Sequence, residues 1–188
     1  MPLSIASVAT SITTRGMFFD PAGMAERLVF PDWKPKMFKG VPFVLIDPQE
    51  DRVPNAIMLN GPNGVMAPKM PKSVDVTCNA SAVAIHFLSG VGGWSYPATR
   101  EGSTSMIVRI TYEDDSTEDH PLINGEHFAD YIRRVDVPKS DFAFDLDGRQ
   151  IRYFAVNPKE KKPMKKISLI KGRDASAPVV MAMTLQTE

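Results

Sequence analysis

The sequence has few of the residues that build disulfide frameworks or metal sites. Its 188 residues include one cysteine, Cys78, and three histidines. A single cysteine cannot form an internal disulfide, and it also excludes a cysteine-rich metal site. His120 and His127 are seven residues apart, which matches no common zinc spacing. The fold therefore has to be held by an ordinary hydrophobic core.

Net charge and long apolar runs are also missing. The chain has 22 basic and 22 acidic residues, so no global field attracts nucleic acid or an anionic membrane. No run reaches the roughly 18 apolar residues of a membrane span. The first 16 residues contain no basic start followed by an apolar block, as a signal peptide would. We expect neither nucleic acid nor a membrane as a partner.

The common catalytic motifs are absent too. There is no Gly-x-Ser-x-Gly elbow and no His-Glu-x-x-His pair. Gly90-Val91-Gly92-Gly93 has the wrong spacing for a phosphate-binding loop. Scattered acidic residues do not by themselves indicate the paired carboxylates of a glycosidase. The sequence therefore favours a protein that is not an enzyme.

What the sequence does contain is the pattern of an all-β chain. Sixteen prolines and 12 glycines separate short apolar runs. Residues 106–112 alternate with a period of two, and Asp114 to Ser116 turn the chain into a second strand, 117–123. Further strands are predicted at 41–46, 56–60, 73–78, 82–88, 142–146, 150–156, 166–171 and 178–186. Strands at this spacing indicate a sandwich or barrel.

Three segments depart from simple alternation. Residues 82–88 and 179–185 are apolar at nearly every position, which predicts central strands that are covered on both faces. The segment 125–134 predicts one short helix, because its apolar side chains share a helical face. Residues 1–39 are less regular, and we interpret them as an N-terminal extension that adds an edge strand and wraps a sandwich domain of residues 40–188.

Six segments together resemble a known family. They are GVPFVLIDP (40–48), IMLNGP (57–62), AIHFLSGVGGW (84–94), IVRITYEDDST (107–117), AVNP (155–158) and VVMAMTLQ (179–186). Their order and spacing resemble the galactose-binding-like jelly-roll domains, related to carbohydrate-binding modules, of large extracellular proteins from planctomycete-type bacteria. The resemblance implies an antiparallel jelly-roll β-sandwich in an extracellular or periplasmic protein. It also implies a sugar site on the end loops, a structural calcium ion at one edge, and neighbouring domains of a larger parent protein as partners.

Two aromatic side chains are the leading ligand candidates. Trp94 and Tyr96 follow a glycine-rich stretch, and the C–H face of a sugar ring stacks on a flat aromatic ring. The alternative is that Trp94 points inward and caps the sandwich. Trp33 offers either a second stacking face or a contact that packs the extension. Arg109 and Asn157 complete the predicted ligand-binding set.

The acidic turn is the candidate metal site. Asp114, Asp115 and Glu118 supply oxygen ligands of the kind that calcium prefers. Solvated charge at a hairpin tip explains the same residues without a metal. The lysine-rich run 159–166 has a similar ambiguity, since it suits either an anionic polysaccharide or a solvated loop.

The resulting hypothesis is a non-catalytic carbohydrate-binding or adhesion module that holds a glycan on loops at one end of the sandwich. A structural spacer or docking domain of a larger secreted enzyme is the main alternative. A hydrolase or esterase acting on glycans is the weaker one.

Overall fold

The computed structural model describes residues 1–99 and 101–187, and strands dominate it. In chain order they are β1 (Pro2–Leu3), β2 (Lys36–Phe38), β3 (Val41–Phe43), β4 (Ile57–Met58), β5 (Ser73–Ala80), β6 (Ala84–Gly92), β7 (Thr104–Tyr112), β8 (Thr117–Ile123), β9 (Asp141–Leu146), β10 (Arg149–Val156), β11 (Met164–Lys171) and β12 (Ala177–Gln186). The helical elements of these residues are three-residue 3-10 turns at Ala6–Val8, Met24–Glu26 and Ala67–Lys69. The predicted all-β class is confirmed.

Two antiparallel sheets form the sandwich. The larger has the order β1-β12-β6-β10-β9, with β4 also paired to β12, and the smaller has the order β5-β11-β7-β8. Strands β2 and β3 form a separate hairpin. Buried side chains of both sheets meet in one hydrophobic core between them.

Alternation of side chains explains the smaller sheet. In β5 the residues Val74, Val76 and Cys78 are buried, whereas those between them are exposed. In β7 Val108 and Ile110 are buried in the same core. One face of this sheet therefore meets the larger sheet and the other faces solvent, as a two-residue period requires.

The middle of the larger sheet is covered on both faces. Every residue of β6 is buried. Ile85 and Phe87 belong to the core between the sheets, while Leu88 belongs to a second apolar cluster on the outer face. The register of β12 against β6 shifts between Val180 and Ala182. The prediction of doubly covered central strands is confirmed.

Residues of the first 39 positions cover that outer face. Strand β1 pairs with β12 and extends the larger sheet. Met17, Phe18, Leu28 and Phe30 lie in the outer cluster. This segment supplies a strand and an apolar layer, and the proposed domain boundary at residue 39 stays a prediction.

Strand β6 runs further than the sequence indicates, because its glycines lie within the strand. A Cβ at Gly92 would lie 2.5 Å from Cζ of Phe18, so the missing side chain leaves room for that ring. The strands predicted at 41–46 and 56–60 are shorter in the structure, where they span Val41–Phe43 and Ile57–Met58.

The predicted helix at 125–134 is wrong. This segment forms turns and isolated bridges, and residues 128–131 are all buried. Its backbone pairs with the end of β6 and with the loop that follows, since Tyr131 N–H donates to Val91 O and Asp130 N–H donates to Tyr96 O. Phe128 enters the core between the sheets, while Tyr131 enters the outer cluster. The apolar side chains that suggested one helical face therefore point to two different cores.

A buried histidine makes stability depend on pH. The Nδ1 atom of His86 lies 2.8 Å from Oη of Tyr153, and Nε2 lies 3.1 Å from Oε1 of Gln186. The histidine is therefore structural and fully partnered. Burial lowers the pKa of His86 and of His127. Both rings favour the neutral form in the folded protein.

Stability is therefore expected to fall as the pH drops. The unfolded state binds more protons once the pH goes below the unfolded histidine pKa of about 6.5. The stabilising contribution of the neutral histidine rings is complete above the unfolded pKa. It is lost as the pH falls toward the lower pKa that these rings have in the folded protein. Urea unfolding at about pH 7.5 and 5.5 measures the change in the free energy of unfolding. This free energy should fall less between the two pH values in His86→Gln than in the wild type. Burial raises the pKa of Asp130, which acts in the opposite direction. Equal drops in both proteins would contradict the assignment to His86.

Candidate ligand-binding cleft

Trp94 stands outward at the end of β6. Its side chain is 57% exposed. Gly93 and Trp94 have φ values of +75° and +69°, so two successive residues in the left-handed region turn the chain away from the strand. Of the two alternatives for this side chain, the structure has the outward one.

Trp94 forms one wall of a cleft of about 190 Å³. The partly exposed side chains Phe19 and Ile132 line it with Trp94, and the buried Phe18 lies beneath them. The ring centroids of Phe19 and Trp94 are 5.8 Å apart in an edge-on arrangement. Three chain segments distant in sequence thus place two aromatic rings and one aliphatic side chain around a preformed hollow.

Two carboxylates line the same cleft and fix its walls. Glu26 accepts hydrogen bonds from the N–H groups of Phe18 and Phe19, each at 2.9 Å. Asp130 accepts one from Ser95 N–H at 3.0 Å and one from Ile132 N–H at 3.2 Å. The loops that carry the aromatic and apolar walls are therefore anchored, which lowers the entropic cost of binding.

Asn124 holds the rest of the loop after Trp94. Its Oδ1 accepts hydrogen bonds from Ser95 Oγ at 2.5 Å and from Tyr96 N–H at 3.1 Å. Its Nδ2 donates to Thr99 Oγ1 at 2.9 Å. Such a fully bonded buried network makes the loop rigid.

Phe19, Ile132, Glu26 and Asp130 were not identified from the sequence. One local signal was present, because two adjacent phenylalanines precede an Asp-Pro turn at residues 18–21. Ile132 gave no such signal, because its position was predicted from a helix at 125–134 that the structure does not contain.

Tyr96 lies apart from Trp94. It is half-buried, and its Cδ2 would lie 3.3 Å from a Cβ at Gly125. The Tyr96–Pro97 peptide bond is cis. Its side chain does not line the cleft. The expected aromatic pair is thus replaced by Trp94 with Phe19.

The other predicted ligand residues are also dispersed. Trp33 is half-buried, with its ring centroid 5.9 Å from that of Phe30. Arg109 donates from Nε and one terminal nitrogen to Asp119, both at 2.7 Å. Asn157 is exposed in the loop after β10. The structure therefore does not bring these three residues to Trp94.

The acidic turn is held by ion pairs. Asp114 and Asp115 each accept a hydrogen bond at 2.9 Å, from Nζ of Lys162 and of Lys165 respectively. The Ser116 hydroxyl and Lys162 lower the pKa of Asp114 to about 2. Glu118 accepts from Lys159 N–H at 3.0 Å. Two lysines of the run 159–166, Lys162 and Lys165, are therefore bonded to the acidic turn.

Each of the three carboxylates is bonded to a different donor. Among residues 1–99 and 101–187 no group of three or more His, Cys, Asp or Glu side chains could hold a metal ion. Structural calcium stays a prediction of the resemblance.

Comparison with known proteins adds no identity. The chain matches no protein-family model, no curated protein and no solved structure. The likeness to galactose-binding-like domains therefore stays a prediction. Among the described residues, no helix has the length and apolar character needed to cross a membrane.

Proposed function

We propose that the protein is a non-catalytic carbohydrate-binding module of an extracellular or periplasmic protein, with its glycan held against Trp94. The observation that carries this proposal is an indole, 57% exposed, in the wall of a preformed cleft. The ring does not stand alone, since Phe19 and Ile132 are also exposed in the same cleft, and contiguous exposed apolar patches often mark binding sites. A sugar ring suits this surface because its C–H face stacks on the indole while its hydroxyls stay solvated.

A jelly-roll topology is part of the proposal. The strand orders β4-β12-β6-β10 and β5-β11-β7-β8 support it. From β4 to β7 the chain passes from one sheet to the other at each connection. Such crossings are typical of a double-sheet Greek-key arrangement, in which ligand sites lie on loops at the ends of the strands.

The two tryptophans of the chain allow a direct test. Trp33→Phe leaves Trp94 as the sole tryptophan, so its fluorescence reports on the cleft. We expect a change in emission on titration with the right oligosaccharide. Trp94→Ala in the wild-type chain should weaken binding about tenfold or more, since stacking contributes about 1 kcal/mol beyond the area it buries.

Stability provides the control for this test. Trp94→Ala should leave the unfolding midpoint nearly unchanged, because exposed side chains contribute little to stability. Trp33→Phe should retain binding. Unchanged retention of Trp94→Ala on every polysaccharide that binds the wild type would refute the site.

One observation favours the docking alternative. Phe19 and Ile132 are exposed beside Trp94 and enlarge the apolar surface around the cleft. A neighbouring domain of a parent protein could cover that surface. This alternative predicts that no glycan changes the emission of Trp94, whereas an adjoining segment of the parent chain does.

A further inference from the structure

We propose that the sugar bound at Trp94 carries a free amino group, so that the ligand is a glycan containing unacetylated amino sugars. This inference rests on the proposed function and names the ligand class for the same cleft. Its basis is the charge of the cleft walls together with their aromatic character.

Both ionisable side chains that line the cleft are acids. They are Glu26 and Asp130, and within the described part of the chain no lysine or arginine lines the cleft with them. Their hydrogen bonds come from neutral backbone N–H groups. Because no described cation forms an ion pair with either carboxylate, their charge is available to a ligand.

Nearby arginines do not neutralise the site. Arg133 attracts Asp130 through space but makes no ion pair with it. Arg149 donates to the backbone carbonyls of Met24 and Ala25 and pairs with Asp147. Arg149 is thus directed at other groups, and Arg133 contributes a through-space attraction to Asp130.

Burial makes Asp130 sensitive to a bound cation. Its residue is 6% exposed, and burial raises its pKa because the charged carboxylate is poorly solvated there. An ammonium group in the cleft would favour the charged form again. A uronic or sulfated sugar would instead be repelled by both carboxylates.

The aromatic walls favour the same ligand. The faces of Trp94 and Phe19 carry negative electrostatic potential and attract cations, most strongly where water is partly excluded. A neutral sugar gains stacking alone, whereas an ammonium-bearing sugar gains stacking, cation–π attraction and the field of two carboxylates. The cleft therefore discriminates by charge.

The test compares two matched ligands on the Trp33→Phe protein. Oligosaccharides of glucosamine and the same oligosaccharides fully N-acetylated differ only in the charged amino group. At about pH 6 and low salt, we expect the amino form to bind about tenfold tighter or more. About 0.5 M salt should reduce that preference, because screening weakens charge interactions at a partly exposed site.

A variant at the rim separates charge from folding. Ile132 is exposed, so Ile132→Lys adds a cation without disturbing a buried group. We expect the ratio of the two dissociation constants to lose its preference for the amino form in this variant, whatever change in overall affinity follows from replacing the cleft-lining Ile132. Ile132→Gln is the matched control and should keep the preference. Glu26→Gln should also reduce the preference for the amino form.

The outcomes distinguish the two proposals. Equal binding of both oligosaccharides, abolished by Trp94→Ala, would overturn the amino-sugar inference and leave the carbohydrate-binding function standing. Failure of every glycan to bind would overturn the proposed function itself. Binding of a lysine-rich peptide, with no response to any oligosaccharide, would overturn both and identify a protein partner.

Discussion

Replacing Arg152 with methionine is expected to lower the free energy of unfolding by about 3–5 kcal/mol. The guanidinium of Arg152 lies in the larger sheet and is 1% exposed. Its N–H groups donate to Oγ of Ser140 at 2.6 Å and to the backbone O of Ser140 at 2.5 Å. They also donate to Val135 O and to Gln150 Oε1, both at 2.9 Å. Methionine fills similar space but leaves four acceptors without their donor.

A neighbouring arginine provides the control for this prediction. Arg134 lies over the ring of Phe142 with its guanidinium carbon 4.2 Å from the centroid, and its side chain is largely exposed. Arg134→Met should therefore cost less than about 1 kcal/mol. Urea midpoints of both variants measure the difference. If the two variants lost equal stability, the hydrogen bonds of Arg152 would not be the cause.

Removing the carboxylate of Asp174 should be comparably destabilising. Asp174→Ala is expected to cost about 3–5 kcal/mol, because it leaves the Lys171 ammonium buried without its counter-ion. The two side chains are 8% and 7% exposed, with Lys171 Nζ 2.9 Å from Asp174 Oδ1. Ser105 Oγ and Ser176 Oγ also donate to this carboxylate, at 2.5 and 2.6 Å. Burial opposes the charge of Asp174, yet these donors lower its pKa.

A double variant tests whether the unpaired charge is responsible. Lys171→Met combined with Asp174→Asn removes both charges and keeps an acceptor for the serine hydroxyls. It should be clearly more stable than Asp174→Ala alone, as expected when two directly contacting groups are coupled. Denaturant unfolding of Lys171→Met, of Asp174→Asn and of the double variant supplies the cycle. Simple additivity of the two substitutions would contradict the proposed pairing.

Local patterns in the sequence predicted the elements whose neighbours are close in the chain. The alternation through residues 106–112 and 117–123 corresponds to the hairpin of β7 and β8. Asp147 and Gly148 likewise turn the chain between β9 and β10 with φ values of +57° and +81°, as such a tight turn requires. In these cases each residue's environment depends on partners a few positions away.

The same reasoning failed where two distant cores compete for adjacent residues. Phe128 and Tyr131 are three positions apart, which suggested one helical face, but they enter different clusters. The Tyr131 N–H donates to Val91 O of β6, and the Phe128 N–H donates to Ile123 O five residues earlier, so neither makes the bond to a carbonyl four residues earlier that a helix requires. No periodicity within the segment distinguishes these arrangements.

The candidate cleft was predicted only in its central residue. Trp94 was identified because an aromatic follows a glycine-rich strand end, whereas Phe19 and Ile132 reach it from other parts of the fold. Tyr96 was grouped with Trp94 through its proximity in sequence, yet Trp94 lines the cleft whereas Tyr96 lies beside Gly125.

By itself the sequence determined the all-β class and the central strands and indicated Trp94 as a candidate, because strand periodicity and turn chemistry are local properties. The tertiary structure decided which face each loop residue presents and placed Glu26 and Asp130 beside the indole. Those placements follow from packing between segments more than 30 residues apart, and such contacts leave no periodic signal in the chain.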